Sequence, residues 1–226
     1  MPKRPYYYEE TPEATSFKRI YNKMQLQHEQ HRTNMFLMTS ANVSEGKSTT
    51  AAFLATASAR YHRTETLLID CDLRRPMINK LYELPNEGGV ADILAHGADI
   101  KAVLKPSALP NLKIITAGVP QHSPADLFST ARLREMFNKI RFYFKIILID
   151  APPIIPVSDT LLLSNETDAI LFVFKAGTTP KRVAKRALEL LEDNRKKLLG
   201  VVINNEKGAL PYYYDPRYYG YEYYGY

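Results

Sequence analysis

The chain has 226 residues, of which 45% are hydrophobic and 24% charged, the balance of a globular protein with a full core. Its net charge of +6 favours anionic partners in general but is too small to predict nucleic-acid binding. Cys71 is the single cysteine, which excludes an intrachain disulfide, and no apolar stretch reaches the roughly 20 residues of a membrane span. We therefore expect a cytoplasmic protein.

Short apolar runs alternate with helical patterns along the chain. A first helix is predicted over residues 13–31, and further helices at about 47–61, 125–141 and 180–196. Buried strands are predicted at residues 35–39, 67–69, 112–116, 146–149, 169–174 and 198–203. This alternation predicts an α/β fold with a parallel sheet covered by helices on both faces. Ligands of such folds bind beyond the carboxyl ends of the strands.

A polar loop joins the first predicted strand to the alanine-rich helix that comes after it. Gly46-Lys47-Ser48 matches the second half of a P-loop in this strand–loop–helix context, although Ala41 replaces the first glycine of the strict pattern. Backbone N–H groups in such a loop wrap a phosphate, and the helix dipole adds to their field. The predicted phosphate-binding residues are Ser44, Glu45, Gly46, Lys47, Ser48 and Thr49.

Each residue type in this loop suggests a role. Lys47 would reach the β and γ phosphates of a nucleotide, the Ser48 hydroxyl would ligate Mg²⁺, and Thr49 would face the α phosphate. The alternative is a lysine-capped helix start that binds no ligand. We favour the phosphate site because acidic residues stand directly after two other predicted strands.

Three carboxylates occupy these strand ends. Asp70 and Asp72 come after the second strand, and Asp150 comes after the fourth. Because Mg²⁺ prefers oxygen ligands, we expect Ser48, Asp70 and Asp150 to hold it. The protein would bind ATP together with this Mg²⁺ ion. Phosphoryl transfer to a hydroxyl also needs a carboxylate that accepts the proton, so the predicted catalytic residues are Lys47, Asp70, Asp72 and Asp150. The sequence does not divide the base and metal roles between Asp70 and Asp72, and capping of the adjacent turns is the alternative.

The last fifteen residues contain nine tyrosines. Neighbouring side chains point in different directions in helices and strands, so no regular structure buries them all on one face. We therefore expect a flexible tail at residues 208–226, after a P-loop domain at 33–207 and an N-terminal arm and helix at 1–32. The predicted phosphate acceptors are Tyr212, Tyr213, Tyr214, Tyr218, Tyr219, Tyr221, Tyr223, Tyr224 and Tyr226.

Together these segments resemble the bacterial tyrosine kinases (BY-kinases), in the separate-chain form found with capsule and exopolysaccharide operons of Firmicutes. The markers are Glu45-Gly-Lys-Ser-Thr49, Ile69-Asp-Cys-Asp-Leu-Arg-Arg-Pro76, Leu148-Ile-Asp-Ala-Pro-Pro153 and the tyrosine tail. The resemblance implies a P-loop fold that phosphorylates protein tyrosine with Mg-ATP. It further implies that a neighbouring subunit in a ring phosphorylates each tail.

The resemblance also implies partners. A membrane adaptor of the chain-length-determinant type would activate the kinase and recruit it to the inner face of the membrane, and a tyrosine phosphatase would reverse the modification. Cycling would regulate capsular or exopolysaccharide biosynthesis.

The chain departs from the family pattern at two places. Val43-Ser44 replaces the usual Pro-Gly, so the phosphate loop lacks a glycine where the backbone approaches phosphate. Residues 15–24 lack the glutamate and one arginine of the family's oligomerisation motif. The change at Val43 and Ser44 leaves open a nucleotide-binding scaffold with weak catalysis. A ParA/MinD-like ATPase is the other alternative, and the tyrosine tail argues against it.

Overall fold

The computed structural model describes residues 12–61, 63–121 and 123–205. The strands are β1 Met35–Ser40, β2 Thr66–Asp70, β3 Lys105–Pro106, β4 Leu112–Ile115, β5 Ile146–Asp150, β6 Ala169–Lys175 and β7 Leu198–Asn204. The helices are α1 Pro12–His31, α2 Lys47–Tyr61, α3 Ile78–Tyr82, α4 Val90–His96, α5 Ile100–Val103, α6 Pro124–Leu127, α7 Thr130–Arg141, α8 Asp159–Glu166 and α9 Lys181–Leu190, with a 3₁₀ helix at Glu192–Lys197.

The strands form one sheet in the order β3-β4-β2-β5-β1-β6-β7. All neighbouring pairs are parallel except β3 with β4, so the predicted parallel sheet is confirmed. The sequence did not predict β3. This strand has only two residues, and Pro106 is tolerated there because the strand lies at the edge of the sheet.

Helices cover both faces of the sheet, as predicted. Strand residues alternate between the faces, so Met35 and Leu37 of β1 join one apolar cluster while Phe36 and Met38 join the other. The first cluster includes side chains of α4, α7, α8 and α9, and the second includes side chains of α1, α2 and α3. The core therefore lies in two layers, and the strand ends remain available for a site.

Two predicted helices differ from the structure. The helix expected at 125–141 is divided into α6 and α7, because Phe128 is extended and the Ser129 hydroxyl accepts a hydrogen bond from the Arg132 N–H at 3.4 Å, which starts a new helix. The helix expected at 180–196 ends at Leu190 and continues as the 3₁₀ helix. Helices α3, α4, α5 and α8 have eight residues or fewer, too few for a periodic pattern to predict.

The ends of the chain are described only in part. Helix α1 packs on the domain through the buried side chains of Tyr21 and Met24. No helix among the described residues is long and apolar enough to cross a bilayer. The tyrosine tail predicted at 208–226, with all nine predicted acceptors, lies outside the described residues.

Candidate active site

The loop between β1 and α2 has a backbone that only glycine suits at Gly46. This residue has φ +94°, and a Cβ atom there would lie 1.9 Å from Nδ2 of Asn204, at the end of β7. Ser44 also has a positive φ, at 62°. The loop therefore folds as a tight turn although Ser44 stands where the resembling family has glycine.

Side chains from distant parts of the chain hold the loop. Asn204 Nδ2 donates to the Glu45 carbonyl oxygen at 3.0 Å. The buried Glu45 carboxylate accepts a hydrogen bond from the Asn42 N–H at 3.0 Å and another from the Thr179 hydroxyl. No sequence pattern points to Thr179, which is separated from Glu45 by 134 residues. These contacts fix the conformation of the loop.

Lys47 begins α2, and its ammonium lies among acidic side chains. Its Nζ is 2.9 Å from Asp72 Oδ2, 3.5 Å from Asp150 Oδ1 and 3.3 Å from the Ser48 hydroxyl oxygen. Burial lowers the pKa of Lys47, but the negative charges of Asp150 and Asp72 outweigh it, so the pKa is raised from its ordinary value. The lysine is charged and points towards the ends of β2 and β5.

Asp150, the last residue of β5, is fully buried beside this lysine. Neither carboxylate oxygen accepts a hydrogen bond from the described part of the chain. Burial raises the pKa of Asp150, and the charge of Lys47 opposes that rise. A buried carboxylate without hydrogen-bond donors costs free energy, which a bound cation would recover.

Asp70 ends β2 in register with Asp150. Its Oδ1 accepts from the Asp72 N–H at 3.1 Å, and its Oδ2 accepts from the Met77 and Ile78 N–H groups at 3.0 Å each. Burial and the charge of Asp150 raise the pKa of Asp70 to about 8, against the lowering effect of these hydrogen bonds. Asp70 therefore has the capping geometry considered as an alternative.

Asp72 connects the residues that follow β2 to the phosphate loop. One carboxylate oxygen accepts from the Arg75 N–H at 3.0 Å, and the other pairs with Lys47. Cys71, between the two acids, is buried, and burial raises the pKa of its thiol well above the ordinary value. A thiol in this state is a packing residue and a poor nucleophile.

A cavity of about 300 Å³ opens over this cluster. Asp72 and residues of the phosphate loop and the start of α2 line it: Val43, Ser44, Gly46, Lys47, Ser48 and Thr49. Five of the six predicted phosphate-binding residues therefore surround one cavity, whereas the Glu45 side chain lies behind the loop and braces it. Asp70 and Asp150 are fully buried and do not line it.

The residues present fit a Mg²⁺ ion. The Ser48 hydroxyl and the unsatisfied carboxylate of Asp150 lie next to one another around Lys47. The described residues contain no cluster of three or more His, Cys, Asp or Glu side chains arranged to hold a metal. Mg²⁺ sites of nucleotide enzymes combine one or two carboxylates with phosphates and water, which matches this sparse ligand set.

Comparison with known proteins shows the family. The chain is 34% identical over 171 residues to tyrosine-protein kinase YwqD of Bacillus subtilis, covering 76% of this chain and 72% of the relative. It is 28% identical over 218 residues to the putative tyrosine-protein kinase CapB of Staphylococcus aureus, covering 93% and 94%. The crystal structure of the chimerical protein CapA2B2 superposes with a TM-score of 0.82 and 27% identity, covering 88% of this chain and 87% of the other. No protein-family model matches the chain. The similarity to YwqD, over most of both proteins, assigns the chain to the bacterial tyrosine kinases.

Proposed function

We propose that this protein is an ATP-dependent protein-tyrosine kinase that phosphorylates the tyrosines of residues 212–226 in another copy of the chain. One observation carries the proposal. The charged Lys47 ammonium lies between Asp72 and Asp150 at the base of a cavity lined by a P-loop, in a member of a tyrosine kinase family. The chain thus combines a phosphoryl-transfer site with a concentrated supply of phenols.

The residues divide the work of phosphoryl transfer. Lys47 and the loop N–H groups neutralise the charge that develops on the transferred group, an interaction that is strongest in the transition state. Ser48 and Asp150, with Asp70 close by, would hold Mg²⁺, which would supply further positive charge to the transferred group. As the phenol oxygen bonds to phosphorus and the bond to the ADP oxygen breaks, the phenol proton passes to a carboxylate of the Asp70–Asp72 pair.

The setting follows from the family. We propose that the cytoplasmic end of a membrane adaptor of the chain-length-determinant type activates the protein and brings it to the inner face of the membrane. A tyrosine phosphatase would remove the phosphates, and copies of the chain would associate during the reaction. The cycle would regulate capsular or exopolysaccharide biosynthesis. The similarity to the putative tyrosine-protein kinase CapB and to the chimerical protein CapA2B2 supports this setting.

One incubation separates this function from its alternatives. The protein is mixed with Mg-ATP, with and without the cytoplasmic segment of a candidate adaptor, and phosphotyrosine and released phosphate are both measured. A kinase produces phosphotyrosine on residues 212–226. Phosphate release without phosphotyrosine supports the ParA/MinD-like ATPase, and nucleotide binding with neither product supports the scaffold.

A further inference from the structure

We propose that Val43, Met77 and Leu81 form the seat that binds the aromatic ring of the acceptor tyrosine. The inference rests on the proposed function and locates the second substrate of the same site. It begins with three large apolar side chains that solvent reaches, with exposed fractions of 44% for Val43, 39% for Met77 and 36% for Leu81.

These three side chains line one cavity, the same one that Lys47 and Asp72 line. A single exposed apolar residue on a protein surface needs no explanation. Three that converge on a cavity with a charged base are the arrangement of a ligand site, in which apolar walls hold the ligand and a few polar groups orient it. The triphosphate chain of a nucleotide is charged, so apolar side chains would not contribute to binding it.

The position of the wall indicates which substrate it serves. P-loop lysines contact the β and γ phosphates, and the Lys47 ammonium points away from β6 and β7, towards the ends of β2 and β5. The transferred phosphoryl group therefore belongs on the β2 side. Met77 immediately precedes α3 and Leu81 is near its end, and both line the cavity together with Asp72, which places them on the β2 side as well.

Asp70 holds in place the part of the seat that belongs to Met77 and α3. The Asp70 carboxylate accepts hydrogen bonds from the Met77 and Ile78 N–H groups, which fixes the start of α3. At the other end of α3, the Tyr82 hydroxyl donates to the Ala52 carbonyl oxygen of α2 at 3.2 Å. Met77 and Leu81 therefore share one short segment with the candidate proton acceptors, which presets their spacing.

A tyrosine of residues 212–226 from a second copy matches this site chemically. A phenol has an apolar ring and a polar hydroxyl, and the cavity has an apolar wall above Lys47 and Asp72. The exposed Arg75 guanidinium also lines the cavity and has no acidic partner among the described residues. The acceptor segment carries Asp215 and Glu222 beside tyrosines against one basic residue, Arg217, so its charge is net negative and complementary to Arg75.

A binding experiment tests the seat without requiring catalysis. A fluorescent peptide of residues 208–226 is titrated with the full-length protein in Mg-ADP, and anisotropy is measured. We expect Met77→Ala combined with Leu81→Ala to weaken peptide binding roughly tenfold while ADP affinity stays unchanged, because two apolar contacts to the ring are lost. Met77→Leu keeps the apolar volume and should retain affinity. Val119→Ala, which removes an exposed apolar side chain outside the cavity, is the matched control.

The outcomes are distinct. Unchanged peptide affinity in the double variant overturns the seat, as does equal binding of a peptide with every tyrosine replaced by serine. A loss of ADP affinity with peptide binding intact assigns the wall to the nucleotide and also overturns it. Tyrosine-dependent peptide binding that needs Met77 and Leu81, in a protein that forms no phosphotyrosine, supports the seat and contradicts the proposed function.

Discussion

At the scale of single residues, Lys47 is the positive charge that balances two buried carboxylates. We expect Lys47→Met to abolish phosphotyrosine formation, a loss of roughly a hundredfold or more, because the charge on the transferred group is no longer neutralised. The far-ultraviolet circular dichroism spectrum should stay that of the wild type. A folded Lys47→Met protein with undiminished activity would contradict the assignment of the phosphate loop.

Asp150 should determine how the reaction depends on Mg²⁺. Its carboxylate has no hydrogen-bond donor among the described residues, so replacing it with the neutral amide of Asp150→Asn removes a charge that only Lys47 and a cation could balance. We expect the activity to be lost or to require a higher Mg²⁺ concentration, and the same shift in at least one of Asp70→Asn and Asp72→Asn. The measurement is the initial rate of phosphotyrosine formation against Mg²⁺ concentration. An unchanged midpoint in Asp150→Asn would remove that residue from the metal site.

Asn204 should act on nucleotide affinity from outside the phosphate loop. Its amide holds the Glu45 carbonyl, and since the peptide bond is trans, this contact also fixes the opposite direction of the Gly46 N–H. We expect Asn204→Ala to weaken ADP binding roughly tenfold, measured by calorimetry, through the loss of one partly buried hydrogen bond. Asn165→Ala is the control, because its side chain also makes a hydrogen bond, accepted from Asn194, but outside the active site. Equal losses in the two variants would show that Asn204 acts only on stability.

At the scale of secondary structure elements, Asp168 connects α7, β1 and β6. It pairs with Arg141 at 2.7 Å and accepts hydrogen bonds from the Asn34 and Met35 N–H groups at 3.0 Å each. Burial raises the pKa of Asp168, but the hydrogen bonds from Arg141, Met35 and Asn34 outweigh it and lower the pKa below the ordinary value of 3.8.

A pH dependence of stability results from that shift. A carboxylate with a lowered pKa stabilises the folded state above its ordinary pKa, and the contribution is lost as pH falls through the lower folded value. We expect Asp168→Asn to reduce the free energy of unfolding by about 1–3 kcal/mol at pH 7 and to flatten its decline below about pH 4. Urea unfolding from pH 3 to pH 7 measures both. A variant that keeps the wild-type decline would contradict this role.

The sequence predicted the sheet well because its central strands are buried on both faces and read as continuous apolar runs. It also placed Lys47, Asp72 and Asp150 at one edge, because parallel strands bring their carboxyl ends together. It could not predict that Thr179 and Asn204 hold the phosphate loop, since those contacts join residues 134 and 159 positions apart. No sequence pattern indicated that Met77 and Leu81 line the cavity, because they reach it only once α3 packs on α2.

At the scale of the whole molecule, we expect phosphorylation of the tail to occur in trans. Tail-intact Lys47→Met protein is mixed with active protein truncated after Leu210, with Mg-ATP and the adaptor segment. Phosphate should appear on the inactive partner, because the active one has no acceptors in that region. Labelling of active full-length protein without labelling in this mixture would show that the trans mechanism is wrong.

Each added phosphate carries a charge of about −1.5 to −2 at pH 7. Nine acceptors within fifteen residues would repel one another when modified, so we expect partial and graded phosphorylation in preference to complete modification. Intact-mass spectrometry over a time course should show a distribution that stops well short of nine phosphates. Rapid accumulation of the fully modified form would contradict this expectation.

The contact between Asn204 and the phosphate loop also has a kinetic consequence. Tyr212 lies eight residues after Asn204, and an extended chain of that length spans roughly 27 Å, so tether length alone does not keep a tail from its own subunit's site. A short tether gives an effective concentration of the order of millimolar, far above that of dilute monomers. A trans reaction therefore prevails only where assembly raises the density of neighbouring sites to a similar level. The dependence of the rate of tail phosphorylation on protein concentration then reports how far the molecules have assembled.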